Sequence, residues 1–155
     1  MSADALLDED LRESQGEIYR CSSQVSTYDG LIRTIIRVEV VPDGTGVLRL
    51  VTKTWNFTDA DNEVIIEEDP KQNLSKEQID GLLRFIEEKD FWNLDEYLAN
   101  YNPTNPPTYL DIDAVKNSEF HCVYRGLSPA EAYADIYDLF EYFIELCGDK
   151  EYDLQ

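Results

Sequence analysis

The chain has a single histidine, three cysteines and one methionine in 155 residues, so groups that ligate soft metals or transfer protons near neutral pH are scarce. Any histidine-dependent chemistry must run through His121. Cys21, Cys122 and Cys147 are scattered and odd in number, which argues against both a disulfide framework and the short-spaced pairs of a structural zinc site. No apolar run approaches the roughly 18 residues that cross a bilayer. Cations are few: 13 Lys and Arg stand against 33 Asp and Glu, a net charge of −20. Nucleic acids and anionic membranes are held by clustered cations, so neither is expected as a partner. Gly44 and Gly46 sit in turn sequence without a following Lys-Ser or Lys-Thr, and no G-x-S-x-G elbow occurs. The acidic stretch from Asp59 begins like a calcium loop but has Val64 where the turn glycine belongs and Pro70 where the bidentate glutamate belongs. This inventory predicts no cofactor and no metal.

The stretch from Leu74 to Leu94 organises what remains. Ser75 and Gln78 form a capping box, with Leu74 and Ile79 as its hydrophobic staple. Ile79, Leu82, Leu83 and Ile86 then mark one apolar helical stripe, with Asp80 and Arg84 paired on the far side. Phe91, Trp92 and Leu94 follow as a plug that must bury against something. Upstream, Glu17–Val25 is a poor strand, whereas Leu31–Val41 and Val47–Phe57 alternate well around the Pro42-Asp43-Gly44 turn, and Glu63–Glu68 follows. Downstream, Tyr109–Val115 and Phe120–Arg125 read as a hairpin. Its expected inner face is Leu110, Ile112, Ala114, Phe120, Cys122 and Tyr124; Asp111, Asp113, His121 and Arg125 are expected outside. A second capping box at Ser128–Glu131 opens a helix whose stripe runs from Tyr133 to Cys147, with Gly148 to end it. The order βββ(β)αββα predicts an α+β two-layer sandwich, a mainly antiparallel sheet of about five or six strands with two amphipathic helices on one face. Residues 1–16 read as a flexible acidic lead, 17–148 as a single domain and 149–155 as a short charged tail.

Three sets of residues could carry function. If the second hairpin closes with a three-residue loop at Lys116-Asn117-Ser118, Asp113 lies across from His121, with Asp111 nearby. A carboxylate beside an imidazole is half of an acid–base pair, and equally an ordinary cross-strand contact. Arg33, Arg37, Arg49 and Lys53 share the sheet face turned from the helices, with Trp55 on the same parity. Glu39, Glu63 and Glu67 would neutralise them; left open, they and Trp55 would form a recognition face. Tyr97 and Tyr101, with Asn102 and Asn105, lie in a proline-rich loop and could offer contact area.

Together these features favour a non-enzymatic protein-binding or inhibitory module of the cytoplasm that meets a partner with a basic surface. In size and acidity the chain is similar to bacterial immunity-type proteins, with no motif behind the likeness. The alternatives are a small-ligand-binding domain and an enzyme that uses His121 with Asp111 and Asp113.

Overall fold

A computed structural model describes residues 1–57, 63–97, 108–126 and 133–148. β1 (Glu17–Thr27) lies inside a seven-stranded sheet, between β2 (Gly30–Val40) and β6 (Tyr109–Lys116). β3 (Gly46–Asn56) follows β2, and both β4 (Val64–Glu68) and β5 (Gln72–Leu74) pair with β3. β7 (Glu119–Gly126) pairs with β6 at the opposite edge. Every pairing is antiparallel, which makes this a mixed α+β fold with a larger sheet than the sequence suggested. β1 alternates poorly because it is covered on both sides: Arg20, Ser22 and Ser23 are buried along with Tyr19 and Cys21.

α2 (Lys76–Glu88) starts as its capping box dictates. Gln78 N–H donates to Ser75 Oγ at 3.1 Å, and Ser75 N–H donates to Gln78 Oε1 at 2.9 Å. Its buried Ile79, Leu82 and Ile86 share one cluster with Leu139, Phe140, Phe143 and Leu146 of α3 (Tyr137–Leu146). The same cluster holds Tyr19, Cys21, Ile36, Val38, Leu48, Leu50 and Ile112 from the sheet. α2 approaches the sheet closely at Gly46, where a Cβ would stand 2.5 Å from Ile79 Cδ1. α3 begins later than its apolar stripe suggested, and the expected cap at Ser128–Glu131 lies outside the described residues.

The reverse face of the sheet has a covering of its own. α1 (Ala3–Leu7) buries Leu6 and Leu7 against Ile35 and Val51. A one-turn 3-10 helix at Leu11–Glu13 then buries Leu11 with Ile18 and Val115. Residues expected as a flexible acidic lead are therefore placed over two smaller apolar clusters on this face. Burying three leucines contributes roughly 1.5–3 kcal/mol each by area, which offsets part of the cost of ordering the segment. Among the described residues, no helix is long and apolar enough to cross a membrane.

The second hairpin differs from expectation by one residue. Asn117 and Ser118 both have positive φ, 53° and 65°, so the turn has two residues, and Lys116 pairs with Glu119. Strand side chains alternate, so that single step turns all of β7 over. Val123 and His121 come abreast of Ile112 and Ala114, while Phe120, Cys122 and Tyr124 join Val115, Asp113 and Asp111 on the reverse face.

Candidate functional site

His121 and Asp113 are consequently not brought together. The imidazole stands edge-on to Phe91, with ring centroids 5.1 Å apart, and stacks on Trp92 at 6.1 Å. Its Nε2 lies 2.9 Å from the Leu94 carbonyl oxygen, a contact in which the ring nitrogen must donate. The plug expected to seek a sheet thus closes over the only histidine. Asp111 lies on the reverse face as well, so the proposed acid–base set is dismantled by hairpin register.

Arg125, expected outside, is 1% exposed on the side facing the helices, abreast of Leu110. Its Nε lies 3.1 Å from both carboxylate oxygens of Asp135, and Nη2 donates to Oδ2 at 2.8 Å. Nη1 donates to the carbonyls of Glu96 (2.9 Å) and Tyr124 (2.8 Å), and Nη2 to that of Asp95 (2.8 Å). A buried cation is tolerable only when paired and saturated in this way.

The reverse face holds a cross-strand row of charge. Asp113, Arg20, Arg37 and Arg49 lie abreast on β6, β1, β2 and β3. Three adjacent arginines would repel, and each has its own carboxylate. Arg20 Nη2 meets Asp113 Oδ2 at 2.6 Å, Arg37 is gripped by Glu9 at 2.7 and 2.9 Å, and Arg49 Nε meets Glu68 Oε1 at 2.6 Å. Glu39 contributes as expected, 3.4 Å from Arg37. Glu67 does not, because β4 places it abreast of Thr52 on the other side, while Glu68 stands abreast of Val51. Glu63 precedes β4 and is not the counter-ion of Arg49. Neither Arg20 nor Glu9 was singled out by sequence. The signal was there in Ile35 and Val51, apolar residues on a face otherwise read as charged.

The remaining partner-binding candidates divide. Arg37 and Arg49 are buried, so they do not offer an open surface. Arg33 is half-buried, its Nη1 3.4 Å from the Leu7 carbonyl. Lys53 lies over the Trp55 ring at 4.6 Å, and that half-buried Trp is spent on a cation of its own chain. Tyr97 is exposed at 55% and tilts against Tyr124. Tyr101, Asn102 and Asn105 lie outside the described residues.

Beside the arginine row, Asp111 and Asp113 point to the same face. Asp111 is half-buried as a residue, but its Oδ1 is cut off from solvent and has no hydrogen-bond partner among the described residues. Burial first, and then the Asp113 charge, push the Asp111 carboxyl well above the usual carboxylate range. Burial also raises the Cys122 thiol, helped by the charge of Asp113, and lifts Cys147 to about 11. Cys21 is raised as well, chiefly by burial. Thiols held this way are poor nucleophiles.

A further concavity lies elsewhere, where β1 begins and β2 ends beside α2. It is an open groove of about 620 Å³. Val40, Ile79 and Leu83 give it an apolar floor, and Glu17, Glu39 and Asp80 bring three carboxylates. Its lining contains no Lys or Arg. The expected Asp80–Arg84 pair does not form, and Asp80 makes no ion pair among the described residues. A smaller hollow of about 450 Å³ is lined by Arg37, Arg49 and Lys71 together with Glu39. Its two arginines are already engaged by Glu9 and Glu68.

No protein-family model matches the chain, and no curated protein matches it.

Proposed function

We propose that this protein is a non-enzymatic binding module that recognises a protein with a basic surface. The observation that carries the reading is where the cations went. Arg20, Arg37, Arg49 and Arg125 are withdrawn into the protein, each with a carboxylate of its own. Setting those four pairs aside leaves nine cationic side chains against twenty-nine acidic ones in the chain. Acidic charge is therefore concentrated on the exterior, where it steers basic partners over distances of a Debye length. In this reading the two longer helices form one layer on the sheet and the N-terminal segment closes the reverse side. The result is a stiff acidic body acting in the cytoplasm. The separation of His121 from Asp111 and Asp113 removes the constellation on which an enzymatic reading rested.

The test is affinity capture with the immobilised full chain at about 50 mM and about 500 mM salt, where the Debye length falls from roughly 14 Å to roughly 4 Å. Proteins of basic pI should be retained in the first condition and released in the second. Retention of no basic protein at low salt, or retention indifferent to salt, overturns the reading.

A further inference from the structure

The groove between α2 and the end of the sheet combines two properties that occur together nowhere else among the hollows described above. Its floor is apolar, and its charged lining is of one sign. Ile79 is fully buried, whereas Val40 and Leu83 are only partly covered, so apolar surface remains open to a visitor. Asp80 is exposed and makes no ion pair among the described residues. Glu39 is 46% exposed even while it touches Arg37 at 3.4 Å. Glu17 accepts from the Tyr19 hydroxyl at 2.5 Å, which fixes its carboxylate at the rim. The aliphatic stem of Lys76 passes beside Gly44, at one end of the groove.

We infer that this groove is the docking site for an extended segment of the partner protein in which arginine or lysine alternates with apolar residues. The inference rests on the binding-module reading above and adds where and how the partner binds. An extended chain sends successive side chains to opposite sides, so alternation presents one apolar row and one basic row. Apolar side chains settle on Val40 and Leu83, while the basic ones reach Asp80, Glu39 and Glu17. Long basic side chains suit such a place, because their methylene stems cover apolar surface while the charged heads stay near water. A second copy of this chain is a poor occupant, since it carries the same net charge of −20.

The probe is a fluorescent peptide of alternating arginine and leucine, with alternating arginine and glycine as its comparison, titrated with the full chain at low salt and read by anisotropy. The double variant Asp80→Asn/Glu39→Gln removes two groove charges. Glu77→Gln/Glu88→Gln removes two exposed α2 charges outside the groove lining, and both variants are checked for an unchanged thermal melt. The expected result is at least about fivefold weaker binding for the groove variant and less than about twofold for the other, with the glycine peptide also at least about fivefold weaker. Equal weakening by both variants, or equal binding of both peptides, shows diffuse attraction; the groove is then overturned and the module reading survives. Capture of a basic protein by the full chain combined with no peptide binding has the same meaning. Failure of the salt-dependent capture overturns the module reading itself.

Discussion

The carboxylate of Glu9 grips the guanidinium of Arg37 at two points, 2.7 Å from Nε to Oε1 and 2.9 Å from Nη2 to Oε2. The side chains keep only 14% and 5% of their exposure, so each charge depends on the other. The backbone carbonyl of the same Glu9 accepts from Arg20 Nη1 at 2.8 Å. One residue of the N-terminal segment thus serves two neighbouring arginines of the sheet.

Glu9→Ala should accordingly cost far more than a surface substitution. Among the described residues it leaves Arg37 with Glu39 alone, at 3.4 Å, and an inadequately paired buried cation costs about 3–5 kcal/mol. Urea unfolding would show this as a lower midpoint with little change in slope. Adding Arg37→Met should recover most of the loss, because the stranded charge goes with it. A cost below about 0.5 kcal/mol, the size of an ordinary surface change, would mean that the segment does not hold the face it covers.

Ser118→Gly should stabilise the protein. Ser118 has φ 65° in the β6–β7 turn, next to Asn117 at 53°. A left-handed backbone is unfavourable for a residue with a Cβ and free for glycine, and Asn-Gly is the favoured pair for such a turn. A gain of about 0.5–1 kcal/mol is expected, or a melting temperature higher by about 1–4 °C. Asn117→Gly should gain less, since Asn already tolerates this conformation. A melting temperature unchanged or lowered by Ser118→Gly would contradict the two-residue turn.

That turn is also where the sequence is least explicit. α2 was legible because Ser75, Gln78, Leu74 and Ile79 state one geometry through independent signals. The β2–β3 hairpin was legible because the faces of β2 differ in polarity around Ile36 and Arg37. In β7, His121, Cys122, Val123 and Tyr124 do not separate by polarity, so the face depended on loop length alone. One residue of loop length exchanges His121 for Cys122 and decides that Arg125 lies inside. The N-terminal leucines were missed for another reason. Leu6, Leu7 and Leu11 lack the spacing of a long helix, and their destination shows only in Ile35 and Val51. The groove was invisible because its lining comes from separate segments that meet only in the fold.

Asp111→Asn should raise stability at neutral pH. The folded state holds the Asp111 proton to higher pH than the unfolded chain does, because burial and the Asp113 charge oppose its ionisation. Between the ordinary carboxylate pKa and the raised one, the folded state therefore binds more protons than the unfolded state. Stability contributed by this site falls as pH rises through that window. An amide cannot ionise, so the variant should melt a few degrees higher near pH 7, about 1 kcal/mol, with the advantage shrinking as pH falls towards 4. Thermal melts from about pH 4 to pH 8 would check this, and an advantage that grows on acidification would refute the assignment.

Arg125 binds together stretches that are remote along the chain: the carbonyls of Asp95 and Glu96, its own strand, and the carboxylate of Asp135. Losing any one of them would strand donors of the guanidinium in the interior. The cost of opening β7, the Asp95–Glu96 stretch or Asp135 is therefore shared through one cation, which acts as a clasp between them.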